Sequence, residues 1–179
     1  MEKKKIIIIS GKQFSGKDTV ANTLKNVLEN FTLIPLAEAI KIEFGEKKNL
    51  TLNEIERNKP LYRAEIIELG NQKRTKDADY WIKKVLSTPG DIIVSDVRLR
   101  HELEIFKKLD AVTIRVEAKR DERAKRGKLV KEDDPTEIDL DDATGWDYVI
   151  QNNGTLEALE KKVLKIAKQI SKNFSKVKV

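Results

Sequence analysis

The strongest constraint on this chain lies in residues 6–19. The β-branched run Ile6-Ile7-Ile8-Ile9-Ser10 passes into Gly11-Lys12-Gln13-Phe14-Ser15-Gly16-Lys17-Asp18-Thr19 and then into a helical repeat of Val20, Ala21, Leu24, Val27 and Leu28. Such a run makes a strand buried on both faces, which requires a sheet covered on both sides. Gly11 and Gly16 let the backbone wrap closely around an anion, and the helix that follows aims its N-terminal amides at the same point. Strand, glycine loop and helix in this order form a phosphate loop. Gly11, Gln13, Ser15, Gly16, Lys17, Asp18 and Thr19 belong to it, and Lys17 is placed to reach the β- and γ-phosphates of a nucleotide. The alternative is a plain strand-to-helix turn with an exposed lysine, and the order of the three elements argues against it.

The residue after the loop lysine is usually Ser or Thr, whose hydroxyl ligates Mg²⁺. Here it is Asp18, with Thr19 one place later. Asp18 can ligate the metal itself or hold a metal-bound water, and its charge also suits the first turn of a helix.

A chain of 179 residues is long enough for one well-buried α/β domain and short for two, so residues 1–179 are read as a single domain. There are no cysteines, which excludes a disulfide scaffold, a thiolate zinc site and a cysteine nucleophile, and fits a reducing compartment. No apolar run approaches membrane length, and Met1-Glu2-Lys3-Lys4-Lys5 leads straight into the first strand. A cytoplasmic protein without a membrane partner is expected. The net charge of +6 attracts polyanions. Charged residues are 37% of the chain with both signs interspersed, so most lysines are expected on solvated helix faces, and a compact phosphorylated small molecule explains the excess as well as nucleic acid would. Composition sets no oligomeric state.

After the first helix, Phe31–Leu36 reads as a second buried strand and Ala37–Phe44 as a helix that carries Lys41. A short helix is expected over Leu52–Arg57 and a longer one over Leu61–Gln72, flanked by Arg63 and Arg74. Ala78–Leu86 reads as a helix bearing Tyr80 and Trp81, and Pro89-Gly90 turns the chain into the strand Ile92–Ser95, which ends at Asp96. An amphipathic segment, Glu102–Leu109, precedes a fourth strand, Val112–Val116. A nearly uninterrupted charged stretch follows from Glu117 to Asp142, then a short strand, Tyr148–Ile150, and a long C-terminal helix capped by Thr155. Strands alternating with helices imply a parallel sheet.

Asp96 closes an apolar strand, where an acid can organise Mg²⁺ and its waters, and in a parallel sheet that strand end shares an edge with the phosphate loop. Arg98 reads as a phosphate clamp, or else as a surface partner of Glu102. Arg120, Arg123 and Arg126, three apart, would line one helix face able to close over a phosphoryl group in transit, or form a solvated helix. The acidic stretch Glu132-Asp133-Asp134 with Glu137, Asp139, Asp141 and Asp142 would be its counterweight in an open, mobile lid of about 118–142. Tyr80 and Trp81 can stack on an acceptor base or fill the core. The single histidine, His101, is read as structural, since transfer between phosphates needs no histidine base.

Ser15-Gly16-Lys17-Asp18-Thr19, Asp96-Val97-Arg98 followed by Glu102, and the segment from Asp147 to Glu157 together resemble the phage-type deoxynucleoside monophosphate kinases over most of the chain, more weakly between 45 and 75. The animal-type phosphomevalonate kinases are similar too, sharing the aspartate-bearing loop, the arginine-flanked helix from Arg63 to Arg74, and Ser95-Asp96 with an arginine at 98. Dephospho-coenzyme A kinases share the layout but less of the sequence. His101-Glu102 and Tyr80-Trp81-Ile82-Lys83 resemble the deoxynucleotide enzymes more closely, whereas Arg63 and Gln72–Arg74 resemble the mevalonate ones.

The resemblance implies a three-layer α/β P-loop kinase with a parallel sheet of about five strands and a mobile lid. ATP and Mg²⁺ would be its cofactors and a small phosphorylated molecule its acceptor, foremost a nucleoside or deoxynucleoside monophosphate and alternatively phosphomevalonate. Lys17 and the loop would hold the donor, while Asp18, Thr19 and Asp96 would manage the metal. Arg98, Arg123 and Arg126 would neutralise the transferring group. Lys41, Arg63, Arg74 and Trp81, in a helical region of about 37–88, would bind the acceptor together with Arg98. A nucleotide-gated binding module is the reading of another class, and only the basic charge speaks for it.

Overall fold

A computed structural model describes residues 3–176 and divides the chain into two compact units, Met1–Leu33 with Gly90–Val179, and Ile34–Pro89. The first unit contains β1 (Ile6–Ser10), α1 (Lys17–Val27) and β2 (Phe31–Leu33). The second contains α2 (Leu36–Lys48), α3 (Leu52–Arg57), α4 (Lys59–Lys76) and α5 (Tyr80–Leu86). The chain then returns to the first unit through β3 (Asp91–Val94), α6 (Arg100–Lys108), β4 (Val112–Glu117), α7 (Arg120–Arg126), α8 (Pro135–Ile138), β5 (Tyr148–Gln151) and α9 (Leu156–Lys176).

All five strands are parallel in the order β2-β3-β1-β4-β5. β1 is the central strand, with Ile8 opposite Val94 on one side and Thr113 on the other. Every residue of β1 is buried, as the isoleucine run requires. Ile7 and Ile9 face a cluster formed with Ile93, Ile114, Val116 and Ile150 of the sheet, Val20, Ala21 and Leu24 of α1, and Leu159, Val163, Ala167 and Ile170 of α9. The spacing of the α9 positions puts them on one helical stripe. Ile6 and Ile8, turned by the strand alternation to the opposite face, are buried as well. Each such side chain contributes roughly 1.5–3 kcal/mol of burial, so the strand that carries the phosphate loop is anchored on both of its faces.

The helical unit forms where the sequence expects it, with shifted ends. β2 stops at Leu33 rather than Leu36, because Pro35, extended at φ −62, has no N–H for a sheet ladder and instead opens α2. α2 runs through Gly45 to Lys48, beyond the expected end at Phe44, since a side chain at Gly45 would overlap the Leu50 carbonyl. It closes on Asn49 in the left-handed conformation (φ 56). Thr51 and Glu54 form a reciprocal capping box that starts α3. Trp81 packs in the interior of this unit, 2% exposed, and its indole N–H donates to the Gly70 carbonyl at 3.1 Å. No helix among the described residues is long and apolar enough to cross a membrane.

Candidate active site

The loop between β1 and α1 takes the shape the motif demands. Gly16 sits at φ 100, a conformation that disfavours any side chain, and a Cβ there would overlap the Asn152 side-chain amide. A Cβ on Gly11 would overlap Ser15 Oγ and the Val116 carbonyl. The turn closes through Ser15 N–H to the Lys12 carbonyl at 3.1 Å, and α1 begins with Val20 N–H donating to Gly16 O at 3.0 Å. Lys17 is the first residue of the helix and is only 8% exposed. Burial, reinforced by the neighbouring Arg98 charge, lowers its pKa, while Asp18, Glu137 and Asp96 pull in the other direction. These five charges therefore share one neighbourhood.

Asp96 and Arg98 reach this edge because Val97 N–H donates to the Ile9 carbonyl at 3.3 Å, which ties the end of β3 to the end of β1. An open cleft of about 370 Å³ is bounded by Gln13, Phe14 and Gly16–Thr19 with Arg98 and Arg126. Asp18 is exposed in the first turn of α1, Thr19 is half-buried, and so is Asp96. Among the described residues no group of three or more acids or histidines could by itself hold a metal ion. Mg²⁺ keeps several waters and takes one or two carboxylates together with the phosphate oxygens of its substrate, and Asp18 and Asp96 are the carboxylates at this edge. Ser15 Oγ, buried in the loop without a hydrogen-bond partner, is a polar group of the kind a bound ligand or water satisfies.

Two arginines expected on a lid-helix face able to close over a phosphoryl group, or else on a solvated helix, bond to the phosphate loop itself in the structure. Arg123 is buried, and its guanidinium donates to the Gln13 carbonyl at 3.3 Å and pairs with Glu132 at 3.4 Å. Arg126 donates to the carbonyls of Phe14 (3.1 Å), Ser15 (3.5 Å) and Asn152 (2.8 Å). Both grip the backbone of the phosphate loop from α7. Arg120 of the same helix pairs with Glu132 at 2.7 Å, so the three do not act as a single row. Arg98 pairs with Glu137 and not with Glu102. The Glu102 carboxylate instead accepts from the backbone N–H groups of Arg98 (2.9 Å) and Leu99 (3.1 Å), capping α6. His101 is exposed on α6.

In the helical unit, Lys41 of α2 pairs with Glu56 of α3. Arg63 is exposed on α4, and Arg74, half-buried on the same helix, makes a 3.4 Å contact with Asn71. The expectation that Trp81 contacts an acceptor is corrected: its ring fills the core of this unit and offers no face for stacking.

Three residues that the sequence does not single out for the site are brought to the loop by the tertiary structure. Asn152, buried after β5, donates from its side chain to the Ser15 carbonyl at 2.8 Å. Arg115, buried on β4, donates to Ser10 Oγ at 3.0 Å and lies 3.6 Å from Asp141, which in turn pairs with Lys12 at 2.6 Å. Glu137, 7% exposed, accepts from the Gln13 backbone N–H at 2.9 Å. The Asn-Asn-Gly turn after β5 was a signal for the first. Nothing local separates Glu137 from the six other acids of its stretch.

The profile of the phosphomevalonate kinase family matches residues 9–112, and that of the deoxynucleotide monophosphate kinase family matches residues 73–163. A phosphomevalonate kinase from Drosophila melanogaster is 30% identical over 172 residues, covering 86% of this chain and 90% of that protein. Among solved structures, a gluconokinase from Sinorhizobium meliloti superposes with a TM-score of 0.57 at 13% identity, covering 99% of this chain and 98% of its own. A shikimate kinase from Aquifex aeolicus gives 0.54 at 16%, covering 93% and 98%. These two likenesses establish the P-loop kinase fold, and the sequence matches go further: the chain belongs to the phosphomevalonate kinase family of ATP- and Mg²⁺-dependent P-loop kinases and, over residues 73–163, to the deoxynucleotide monophosphate kinase family as well.

Proposed function

We propose that this kinase transfers the γ-phosphoryl group of ATP to the phosphate of a small aliphatic acid, with phosphomevalonate as the acceptor. The observation that carries the choice concerns the helical unit. Residues 34–89 fall wholly within the stretch matched by the phosphomevalonate kinase profile, whereas the deoxynucleotide profile begins only at residue 73. The burial of Trp81 supports the same reading, since a base needs a face to stack on and an aliphatic phosphate needs only charge. Lys41, Arg63 and Arg74 would supply that charge from α2 and α4.

In the reaction the bond between the γ-phosphorus and the β,γ-bridging oxygen breaks as an acceptor phosphate oxygen bonds to the γ-phosphorus, and ADP leaves with the bridging oxygen. The acceptor oxygen is already ionised at neutral pH, so no general base is required and positioning with charge neutralisation suffices. Lys17 and the loop amides would hold the β- and γ-phosphates, and Arg98 would meet the transferring group. Arg123 and Arg126 would serve mainly by holding the loop carbonyls outward, which keeps its amides turned to the anion. Asp18, Thr19 and Asp96 would hold Mg²⁺ or its waters. Bound there, Mg²⁺ supplies neutralisation of the phosphate charge.

A second reading, a nucleoside or deoxynucleoside monophosphate as acceptor, is favoured by the deoxynucleotide kinase match over 73–163, which includes Arg98, α7 and β5. ADP release measured with a panel of monophosphates separates the two. Phosphomevalonate is expected to stimulate release strongly and the nucleotides little. Stimulation by one nucleotide with none by phosphomevalonate would transfer the assignment to the second reading.

A further inference from the structure

The contact between Glu137 and the phosphate loop has no part in the reaction as described, and its chemistry is unusual for that position. Glu137 stands on α8, and its side chain is 5% exposed. One carboxylate oxygen accepts from the Gln13 backbone N–H at 2.9 Å, and the other pairs with the Arg98 guanidinium. Its charge also acts on Lys17. A loop amide, an arginine at the strand edge and the loop lysine are the three kinds of group that a phosphate loop uses to hold an anion. Here the first two hold an anion belonging to the chain itself, and the lysine feels its charge through space.

The segment that carries Glu137 is fastened around the same loop. The Gln13 side chain exchanges two hydrogen bonds with the backbone of Val130, at 2.6 and 3.2 Å. Lys12 pairs with Asp141 at 2.6 Å, and Arg100 N–H donates to Asp139 at 2.6 Å. Among seven acids between 132 and 142, Glu137 is the buried one whose carboxylate lies on the loop amide. The other charged groups facing it are Arg98, Lys17 and Arg115, which experiences the Glu137 charge through space.

We infer that the Glu137 carboxylate is a displaceable stand-in for a phosphate group: it neutralises Gln13 N–H and Arg98 while the loop is without nucleotide, and ATP must expel it to bind. Two anions cannot share these donors, because like charges at hydrogen-bonding distance repel. The apparent affinity for ATP is therefore reduced by the fraction of molecules in which Glu137 has left. In return, the cationic pocket is kept from standing uncompensated, which would be costly for buried charges. The inference concerns the donor side and is independent of which acceptor the enzyme takes.

Glu137→Gln keeps the shape and removes the charge. Calorimetric titration is expected to show ATP and inorganic triphosphate binding more tightly to the variant than to wild type, by about tenfold if the displaced state is populated to roughly a tenth. The thermal midpoint without nucleotide should fall. Binding no tighter than wild type, in a variant that is folded, overturns the proposal and makes Glu137 a structural brace. If the variant does not fold, the wild-type protein decides: hydrogen exchange at the amides of α8 should accelerate when ATP is added, and unchanged or slower exchange there overturns the proposal.

Discussion

The two compact units handle buried charge in opposite ways. In the unit that carries the phosphate loop three cations, Lys17, Arg115 and Arg123, are below 9% exposure, beside the carboxylates Glu102 and Glu137. Their partners come from remote parts of the chain and include backbone carbonyls and hydroxyls as well as acids. In the helical unit the buried charge is an anion, Glu43 of α2. Lys73 at 3.0 Å, Lys47 at 3.5 Å and Lys84 at 3.7 Å surround it, and Tyr80 donates its hydroxyl at 2.7 Å. Most cations of that unit lie at the surface in pairs such as Lys48–Glu65 and Lys83–Asp77.

Burial lowers the pKa of Lys17 and of Arg115, so an added anion would favour their charged forms. A buried carboxylate ringed by lysines is already complete. Burial alone would raise the Glu43 pKa, but the hydrogen bonds from Tyr80 and Lys73 and the charges of Lys73 and Lys84 outweigh that and hold it below the ordinary carboxylate value. Glu43 is thus satisfied within its own unit, whereas Lys17 is the buried cation that the proposed nucleotide would complete.

Five substitutions test that contrast. The largest effect is expected from Lys17→Ala, which removes the buried cation of the loop. Turnover should fall by about a thousandfold or more, with a far smaller change in the thermal midpoint than in rate. Turnover close to wild type would break the assignment of this unit as the donor side.

Arg74→Ala and Arg63→Ala come next, because each would remove one charged contact to the acceptor phosphate or carboxylate. The acceptor KM should rise about ten- to a hundredfold, as for the loss of roughly 1.5–3 kcal/mol of charge-assisted hydrogen bonding. The KM for ATP should stay the same. Equal changes in both constants would mean that these arginines act through the fold.

For Glu43→Gln the readout is stability and its pH dependence. The variant should lose roughly 1–3 kcal/mol without a change in the KM for ATP. Because the folded pKa of Glu43 lies below the unfolded value of about 4.5, its contribution is fully present above that pH and disappears as the pH falls through the lowered value. Wild-type denaturation midpoints should therefore drop more steeply in that acid window than those of the variant. Parallel curves would show that the lysine ring does not depend on the charge.

Asp18→Asn should have the smallest effect, since the carboxylate is exposed. About a fivefold rise in the Mg²⁺ concentration for half-maximal rate, equivalent to roughly 1 kcal/mol, is expected. An unchanged metal dependence would leave Asp18 only its role as a favourable charge at the start of α1.

Much of the donor side was legible in the sequence because its information is local. The loop needs glycine where the backbone turns left-handed or approaches another chain segment, isoleucine where the strand is buried on both faces, and a lysine at the first turn of the helix. All of these are neighbours between residues 6 and 20. The parallel sheet of five strands followed from the alternation of apolar runs with helical repeats. Asp96 and Arg98 were legible for the same reason, since a strand end in a parallel sheet fixes which edge a residue occupies.

Other choices depended on distance along the chain. Trp81 on a short helix reads as a stacking platform or as core, and the carbonyl of Gly70 together with the packing of α2, α4 and α5 decided for the core. The arginines of α7 read as a row closing over a phosphoryl group or as a solvated helix, yet Arg123 and Arg126 turn to carbonyls of the loop 110 and 112 residues earlier in the chain. Glu137 is one acid among seven until folding sets it on the amide of Gln13, 124 residues away. Side-chain type and spacing determine which elements form and which edge is chemically active. Which member of a run of like charges becomes buried, and on what partner, is determined only when the strands have brought remote segments within hydrogen-bonding reach, because a charge can leave water only where a complementary group already stands.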